Sequence, residues 1–483
     1  MLRASIQFIL YVNGLLLCLL AMLMILPALV DLAFDNPDAM VFAVSALLTF
    51  TLGALLAIAN KTDKVPPGRT LFYLLTVSIW LIVSIFASIP LALSSLSIDI
   101  VDVYFETVSG LTTTGSTILV GLDHLPPGLL LWRSLLQWFG GIGIVVMAMV
   151  VLPALRVGGM QLFRTESSDI SGKILPRARQ IATVMAAAYV SLTLICAIAL
   201  HIAGMSAFDA VNHALTTLST GGFSTHDASI GDYDSVAIET VTIVFMALAA
   251  MPIIFFARIV IEPRAASFRD EQVRGLLMTL LAAILVVTAW NFLFRGVPLA
   301  DALRDSAFSV TAVLTGTGYS TVDFSAWGSF AAGVFFFLFF IGGCAGSTAG
   351  GIKIFRWQIM LRAVANQLRT TLSPNRIVIL RYRGQSVDPP MRNSINSFFF
   401  LYLLTYAGLS LAVMATGLDF VSAASAVAQA IGNVGPGLGP LVGPATTFAG
   451  IPDSAKLLLV LSMLVGRLEL ITLYVILTRD YWD

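Results

Sequence analysis

The chain has 483 residues, of which 58% are hydrophobic and only 11% are charged, and its formal net charge is zero. Because a soluble domain carries about 25% charged residues, this composition excludes a large soluble core and indicates many membrane-spanning segments. The neutral balance gives no sign of a nucleic-acid partner.

Apolar runs long enough to cross a bilayer as helices are the first predicted elements in chain order. They lie at about 8–30, 41–59, 70–94, 130–153, 181–203, 236–261, 275–294, 328–352, 395–417 and 455–477. The first run exceeds the core of a signal peptide, so it is predicted to be a span rather than a cleaved leader. Four shorter apolar pieces each end at a glycine-rich stretch, at about 101–113, 208–219, 303–314 and 420–432.

The distribution of basic residues predicts the orientation. With a cytoplasmic N-terminus, and with the short pieces entering from outside and returning, most of the 27 lysines and arginines fall on the inner side. The outer ones are Arg133, Arg295, Arg304 and Lys456, and Arg467 lies within a span. This bias is typical of a multi-pass protein of a bacterial inner membrane, and the acidic outer segments would attract cations.

Four glycine-containing loops divide the chain into similar units, with anchors at Gly115, Gly222, Gly318 and Gly435. Each anchor follows a span and a short helix and precedes another span. We therefore predict an all-α integral membrane fold in which four tandem repeats of span, pore helix, filter loop and span surround a pseudo-fourfold axis. The predicted units are an N-terminal transmembrane hairpin and four pore repeats, at 1–60, 61–165, 166–270, 271–385 and 386–483.

Helix-capping residues stand at one fixed distance before each anchor, at Asp102, Asp209, Asp305 and Ser422. These residue types favour a helix N-terminus, and we predict that they are the N-caps of the four short helices. A helix that begins there points its C-terminal end, with its partial negative charge, at the glycine loop. Four such ends that converge on one point would favour a cation.

The loops themselves carry no carboxylate. Aligned on the anchors, they are Thr113-Thr114-Gly115, Thr220-Gly221-Gly222, Gly316-Thr317-Gly318 and Asn433-Val434-Gly435. Glycine permits the unusual dihedrals that extended backbone with aligned carbonyls requires, and rings of carbonyls can replace the water around an ion. The pattern favours a carbonyl filter for a monovalent cation over a ring of charged side chains.

With TTTGST, LSTGGFST, LTGTGYST and NVGPGLG, the chain resembles the Trk/Ktr/HKT superfamily of potassium transporters over about 61–483. Its N-terminal hairpin and length are most similar to the pore-forming subunits of the TrkH and TrkG type. The resemblance implies one potassium filter formed by the carbonyls of the twelve aligned residues, with potassium as the bound ion and no organic cofactor. The channel motif TVGYG is intact in none of the loops, so selectivity over sodium does not follow.

A second glycine cluster interrupts the span that begins near residue 328. The segment 342–351 has glycine at Gly342, Gly343, Gly346, Gly350 and Gly351, and glycine costs about 1 kcal/mol against alanine inside a helix. We predict a break there, on the cytoplasmic side of the filter, although tight helix packing through small residues is an alternative.

Arg467 stands at the position of the fourth repeat that corresponds to Gly350. An arginine inside a span normally faces a cavity or a partner. We predict that it donates to carbonyls of the broken segment rather than pairing with Glu469, because residues two apart do not share a helix face. The resemblance implies that this loop and this arginine form a gate.

Partners follow from the resemblance alone, which implies a homodimer and a cytosolic nucleotide-binding regulatory subunit of the TrkA type. The basic inner segments 156–179 and 354–392 offer a docking surface, although the orientation bias by itself explains their charge. A cation-coupled symporter with alternating access is an alternative function, but its repeats are usually inverted whereas these are parallel. An enzyme is not expected, because no nucleophile or metal-ligand set stands out and the three cysteines and four histidines lack paired spacing.

Overall fold

The structure is a computed structural model. It describes residues 2–62, 66, 70–146, 174–256, 270–375 and 379–482. Most of the basic segment 156–179 and the ends of two predicted spans, 147–153 and 257–261, lie outside these residues.

Helices make up most of the described chain. The α-helices, α1 to α17 in chain order, are Leu2–Ala33, Asp38–Ala59, Thr70–Ala87, Ile89–Leu93, Ile100–Leu111, Pro127–Val146, Ile174–Ile202, Ala207–Leu218, Val236–Ala249, Glu271–Arg295, Leu299–Leu314, Ser329–Leu338, Ile354–Leu372, Pro389–Met414, Phe420–Gly432, Asp453–Arg467 and Ile471–Leu477. Short 3-10 helices lie at Leu122–His124, Ser229–Tyr233, Phe324–Trp327, Phe448–Gly450 and Arg479–Tyr481.

Seven helical segments in the described part are long and apolar enough to cross a bilayer, as predicted: α1, α2, α3 with α4, α6, α7, α10 and α14. The other three predicted spans differ from a straight helix. In the sixth, α9 is shorter than a bilayer crossing, and a break at 250–252 separates it from the helical residues 253–256. The eighth is helical only over α12, and the tenth bends by 105° between α16 and α17.

The N-terminal hairpin packs through two glycines. A Cβ atom on Gly14 would lie 2.7 Å from the carbonyl oxygen of Gly53, and one on Gly53 would lie 2.9 Å from that of Gly14. This contact is the small-residue packing that lets membrane helices approach closely. Large apolar side chains on the other faces of α1 and α2, such as Leu47 and Ile58, are exposed, as expected of a surface in contact with lipid.

The four short helices α5, α8, α11 and α15 occupy the centre of the molecule. Each is buried without interruption over its C-terminal part, at Phe105–Leu111, Asn212–Leu218, Phe308–Leu314 and Ser422–Gly432. A glycine loop follows each of them, and a 3-10 helix comes before the next span. The predicted order of span, short helix, loop and span therefore recurs four times.

Within the described ranges, two pairs of very short strands interrupt the helices. Strand β1 (Ile341–Gly342) pairs in parallel with β2 (Ile352–Lys353), which closes the chain between them into a loop. Strands β3 (Arg381–Tyr382) and β4 (Gln385–Ser386) form an antiparallel hairpin. The predicted break in the glycine cluster is thus present. Hydrogen bonds between β1 and β2 satisfy some of the backbone N–H and C=O groups that the break leaves without a helical partner.

Candidate functional site

The N-caps of the short helices are not the predicted residues. Asp99, Ser206 and Asp419 cap α5, α8 and α15, because their side chains accept hydrogen bonds from backbone N–H groups of the first turn. Asp102, Asp209 and Ser422 are the third residues of these helices. At this position the helix dipole still favours the negative charges of the two aspartates. In α8, the Ser206 hydroxyl also donates to the Asp209 carboxylate at 2.7 Å.

The third short helix departs furthest from the prediction. Helix α11 begins at Leu299 after Pro298, which makes no side-chain cap, so Asp305 lies in its interior and Asp301 takes the first-turn position. The helix is 16 residues long, against 12 or 13 for the other three. The alignment on the anchor glycines missed this extra turn because Asp305 matched the other acids in type and distance.

One hydrogen bond ties each loop to its own short helix in the same way. The residue before the anchor donates its N–H to the carbonyl five positions earlier, in the pairs Thr114–Ser109, Gly221–Thr216, Thr317–Ala312 and Val434–Gln429. The bond length is 2.9 or 3.0 Å in all four loops. With their N–H groups turned back toward the helices, the four loops share one backbone arrangement.

The dihedral angles repeat as well. The first residue of each aligned triplet has a φ angle between 52° and 74°, at Thr113, Thr220, Gly316 and Asn433. The anchor glycines have φ angles between 75° and 114°, whereas the middle residues are not left-handed. Three of the four first residues are not glycine, so their left-handed conformation is strained. Residues strained in this way are concentrated at functional sites.

The four loops meet in a closed ring. A Cβ atom on Gly115 would collide with the carbonyl oxygen of Gly221, one on Gly222 with that of Thr317, and one on Gly318 with that of Val434. The ring closes because a Cβ atom on Gly435 would lie 2.9 Å from the carbonyl oxygen of Thr114. Each anchor therefore abuts the residue before the next anchor, and the four loops adjoin one another in a ring.

Different side chains support this ring at two of its junctions. The Gln137 side chain on α6 donates to the Gly221 carbonyl at 2.7 Å and accepts from the N–H of Phe223 at 3.1 Å. The Ser116 hydroxyl donates to the Gly435 carbonyl at 2.8 Å. In the fourth loop, the Gly435 N–H donates to the side chain of Gln429 at 3.1 Å. The sequence prediction missed both glutamines, because neither belongs to a spacing pattern within its largely apolar helix.

Tyr319, which follows the third anchor, joins the third loop to the second short helix. Its hydroxyl lies 2.5 Å from that of Thr216 and 3.1 Å from that of Thr217, and it donates to the His213 carbonyl at 3.1 Å. The tyrosine is fully buried. Tyr319 therefore fixes the distance between the third loop and the second short helix.

A cavity of about 350 Å³ opens on the ring, and all four anchor glycines line it. Arg133 also lines this cavity, but it is almost fully buried and pairs with Glu106 at 2.8 Å. The arginine further donates to the Ser224 carbonyl at 3.0 Å and lies over the ring of Phe223. Because its partner neutralises it, this cation does not present an isolated positive charge to the cavity.

A histidine on the rim of the cavity is surrounded by acids. His226 Nδ1 lies 2.5 Å from Asp123 and 3.5 Å from Asp232, and Nε2 lies 3.7 Å from Asp209. Burial lowers the pKa of His226, but the hydrogen bond with Asp123 and the charges of Asp209 and Asp232 outweigh it and raise that pKa overall. The same hydrogen bond lowers the pKa of Asp123.

The sequence analysis found no metal-ligand set, because the four histidines lack paired spacing. The structure brings ligand atoms of Asp123, His226 and Asp232 within 4.8 Å of one another, which is close enough to hold a cation. Tertiary contacts between the first and second repeats create this group, so residue spacing could not have shown it.

The closed loop between β1 and β2 contacts the ring and several repeats. A Cβ atom on Gly350 would collide with the Gly432 carbonyl and would lie 3.0 Å from the Cβ atom of Asn433. The Thr348 hydroxyl donates to the carbonyl of Leu218 at 3.0 Å, and the Cys344 N–H donates to that of Ala250 at 2.9 Å. The loop is thus packed against the end of the second short helix and the fourth glycine loop.

Arg467 reaches this loop, as predicted. It is the last residue of α16, is almost fully buried, and donates to the Thr348 carbonyl at 3.0 Å and the Gly140 carbonyl at 3.4 Å. Glu469 pairs instead with Arg356 at 2.7 Å. One arginine therefore connects the closed loop to the second span of the first repeat.

Comparison with known proteins gives one consistent result. The TrkH family model, described as a cation transport protein, matches residues 38–480. The chain is 43% identical over 475 residues to the Trk system potassium uptake protein TrkI of Halomonas elongata, covering 98% of this chain and 96% of that protein. It is 36% identical to TrkH of Vibrio parahaemolyticus, covering 98% and 99%.

A solved structure agrees with these sequence matches. The crystal structure of the potassium transporter TrkH from Vibrio parahaemolyticus superposes with a TM-score of 0.91 at 34% identity, and each chain is covered completely. The predicted all-α membrane fold is therefore confirmed. The chain belongs to the TrkH family, and it is a multi-pass membrane protein.

Proposed function

We propose that this member of the TrkH family takes up potassium through a central pore across the inner membrane of a bacterium. Its similarity to the potassium uptake proteins TrkI and TrkH supports potassium as the substrate. The observation that carries the proposal is the closed ring of four loops, in which each anchor glycine abuts a carbonyl of the next repeat. Peptide oxygens around one centre can replace the hydration shell of an ion.

The filter would consist of the backbone carbonyls of the twelve aligned loop residues, from Thr113 to Gly435. None of these residues is a carboxylate, which favours a monovalent over a divalent ion. The ends of four short helices approach the ring, and their partial negative charges favour a cation there. The loops differ in sequence and in their supporting side chains, so each would coordinate the ion with a slightly different strength.

The gate would be the glycine-rich loop 342–351 together with Arg467. The loop packs against Asn433 of the filter, and the buried guanidinium bonds to the Thr348 carbonyl. A positive charge at this place repels a passing cation, and the loop occupies space next to the filter. Opening would require that the contact between Arg467 and the loop is broken.

A symporter with alternating access is the second candidate function. Broken helices at membrane depth, such as α12 and the α16–α17 bend, are found in such transporters. The four repeats, however, share one direction and one backbone arrangement around a centre, which favours a pore. Catalysis is not part of either proposal.

Partners and orientation also belong to the proposal. The basic inner segments support a cytoplasmic N-terminus by the positive-inside rule. Helix α13 and the β3–β4 hairpin carry several of these arginines and would offer a surface to a cytosolic nucleotide-binding subunit of the TrkA type. The resemblance to its relatives supports a homodimer of the pore subunit.

Electrical recording of the purified protein in planar bilayers tests the proposal directly. We expect discrete single-channel potassium currents that do not require sodium or a proton gradient on the other side. Transport that saturates at transporter rates, without unitary currents and only with a coupling ion, would replace the pore by the symporter. Potassium uptake into vesicles with and without sodium provides the matching flux measurement.

A further inference from the structure

A buried ion pair joins the two ends of the candidate gate. Arg356 lies in the first turn of α13, directly after strand β2, and its Nη2 atom lies 2.7 Å from Oε2 of Glu469. The Arg356 side chain is fully buried and that of Glu469 is 9% exposed. Glu469 stands two residues after Arg467, in the break between α16 and α17.

The pair holds three segments together. The Arg356 guanidinium carbon lies 3.7 Å from the centre of the Phe398 ring on α14, which adds a cation–π contact to the ion pair. Removing two charges from water costs several kcal/mol per ion, and apolar residues of similar size often stabilise a fold as well or better. Such a pair is therefore poorly explained by stability alone, whereas it fixes the geometry of the segments that carry it.

The backbone around Glu469 shows what is being fixed. Glu469 has a left-handed φ angle of 56°, and the two helices on either side of it meet at 105°. A non-glycine residue in this conformation is strained and persists only where its surroundings hold it. The bend begins directly after Arg467, the last residue of α16. The position of Glu469 therefore constrains the backbone next to Arg467.

We propose that the Arg356–Glu469 ion pair positions Arg467 against the loop 342–351 and thereby keeps the pore closed. On one side, the pair anchors the chain that leaves the loop through β2. On the other side, it anchors the bend next to the arginine that bonds to Thr348. Arg356 and Glu469 are positioning residues, and this inference rests on the proposed gate.

The pair also connects the gate to α13, because Arg356 lies in the first turn of that helix. Further along this helix, Arg362 pairs with Glu271 at 2.8 Å, and Arg383 of the adjoining hairpin segment pairs with Asp270 at 3.0 Å. A displacement of α13 would act on Arg356 in its first turn. Any partner that moves α13 therefore acts on Arg467 through this ion pair.

Rubidium flux into vesicles that hold the full-length protein tests the inference. Glu469→Gln is expected to raise basal flux roughly tenfold, close to the rise expected for Arg467→Ala. In the Arg467→Ala background, Glu469→Gln should add nothing, because a positioning residue acts only through the residue it positions. Glu239→Gln is the matched control, because Glu239 is also a buried partner of an arginine, Arg304, and should leave flux unchanged.

The outcomes separate the inference from the proposed gate. If Arg467→Ala raises flux but Glu469→Gln does not, the positioning role is wrong while the gate stands. If the two effects multiply in the double variant, Glu469 acts independently and the inference is overturned. No rise in Arg467→Ala would overturn the gate itself. Should Glu469→Gln fail to fold, Phe398→Leu loosens Arg356 without removing a charge and should raise flux by a smaller factor.

Discussion

The side-chain amide of Asn433 donates to the hydroxyl of Thr114 at 2.9 Å, across 319 residues of sequence. This bond connects the fourth glycine loop to the first, so a side-chain contact as well as a backbone contact closes the ring. The same amide donates to the Met463 carbonyl on α16 at 3.1 Å. Asn433 thus links the ring to the helix that ends in Arg467.

Replacement of Asn433 separates its two contributions. Asn433→Gly keeps the left-handed conformation but loses both side-chain bonds, so we expect a lower preference for potassium over sodium in a folded protein. Asn433→Val loses the bonds and also disfavours the φ angle of 52°, so its melting temperature should fall further. Permeability ratios from reversal potentials measure the first effect. An unchanged permeability ratio in Asn433→Gly would show that the bond to Thr114 does not contribute to selectivity.

Gly318→Ser should reduce the preference for potassium over sodium by at least about tenfold, which corresponds to about 1.4 kcal/mol. The φ angle of Gly318 is 77°, and a Cβ atom there would collide with the Val434 carbonyl and displace it from the ring. Gly296→Ser is the matched control, because its φ angle of 69° is similar but no atom lies within 4 Å of its Cβ position. Equal ion preferences in the two variants would place Gly318 outside the filter.

Arg467→Ala should raise basal potassium or rubidium flux in vesicles roughly tenfold, because it removes both a positive charge and the bond to the Thr348 carbonyl. Arg467→Lys retains the charge but cannot reach two carbonyls in the same geometry. Its flux should therefore lie between that of the unmodified protein and that of Arg467→Ala. Flux at or below that of the unmodified protein in Arg467→Ala would contradict a closing role. Thermal melting of both variants checks that they are folded.

Glu106→Gln is expected to slow potassium entry, because it leaves the charge of Arg133 uncompensated beside the cavity. Breaking a buried pair in this way also destabilises a protein by about 3–5 kcal/mol. The loss of single-channel conductance should shrink at high salt, because ions inside the cavity screen the charge that Arg133 then presents to it. The double variant with Arg133→Gln removes both charges and should recover conductance. A conductance loss that is independent of salt would mean that the effect is structural.

The acids around His226 predict a pH dependence of stability. The raised pKa of His226 means that its protonated form stabilises the fold fully below its ordinary value of 6.5, and this contribution is lost as the pH rises through the raised value. We expect the melting temperature of the purified protein to fall above about pH 6.5. His226→Gln should abolish that fall. An identical pH profile in the variant would mean that the contacts with Asp123 and Asp232 add nothing.

Local features of the sequence were sufficient for much of the fold. The length of the apolar runs identified seven straight spans, because a bilayer of fixed thickness demands a minimum number of apolar residues. The four loops could be aligned because glycine and small polar residues are rare in such surroundings. Arg467 was recognisable for the same reason, since a charge within a span is costly and seldom without a role.

Contacts between distant segments decided the remaining features. Capping depends on the first turn of each helix, and the sequence could not show that α11 begins one turn earlier than its counterparts. The bend after Arg467 arises where Glu469 pairs with Arg356, 113 residues away. Gln137, placed on the sixth helix, supports a carbonyl 84 residues later.

The sequence by itself determined that this is a membrane protein of four similar units with polar loops, because hydropathy and glycine content are properties of short segments. Only the tertiary structure decided that the loops form one closed ring and that the buried Arg133 and Arg356 pair with Glu106 and Glu469. Those relationships depend on which unlike side chains meet between repeats, and each repeat supplies only one side of every junction.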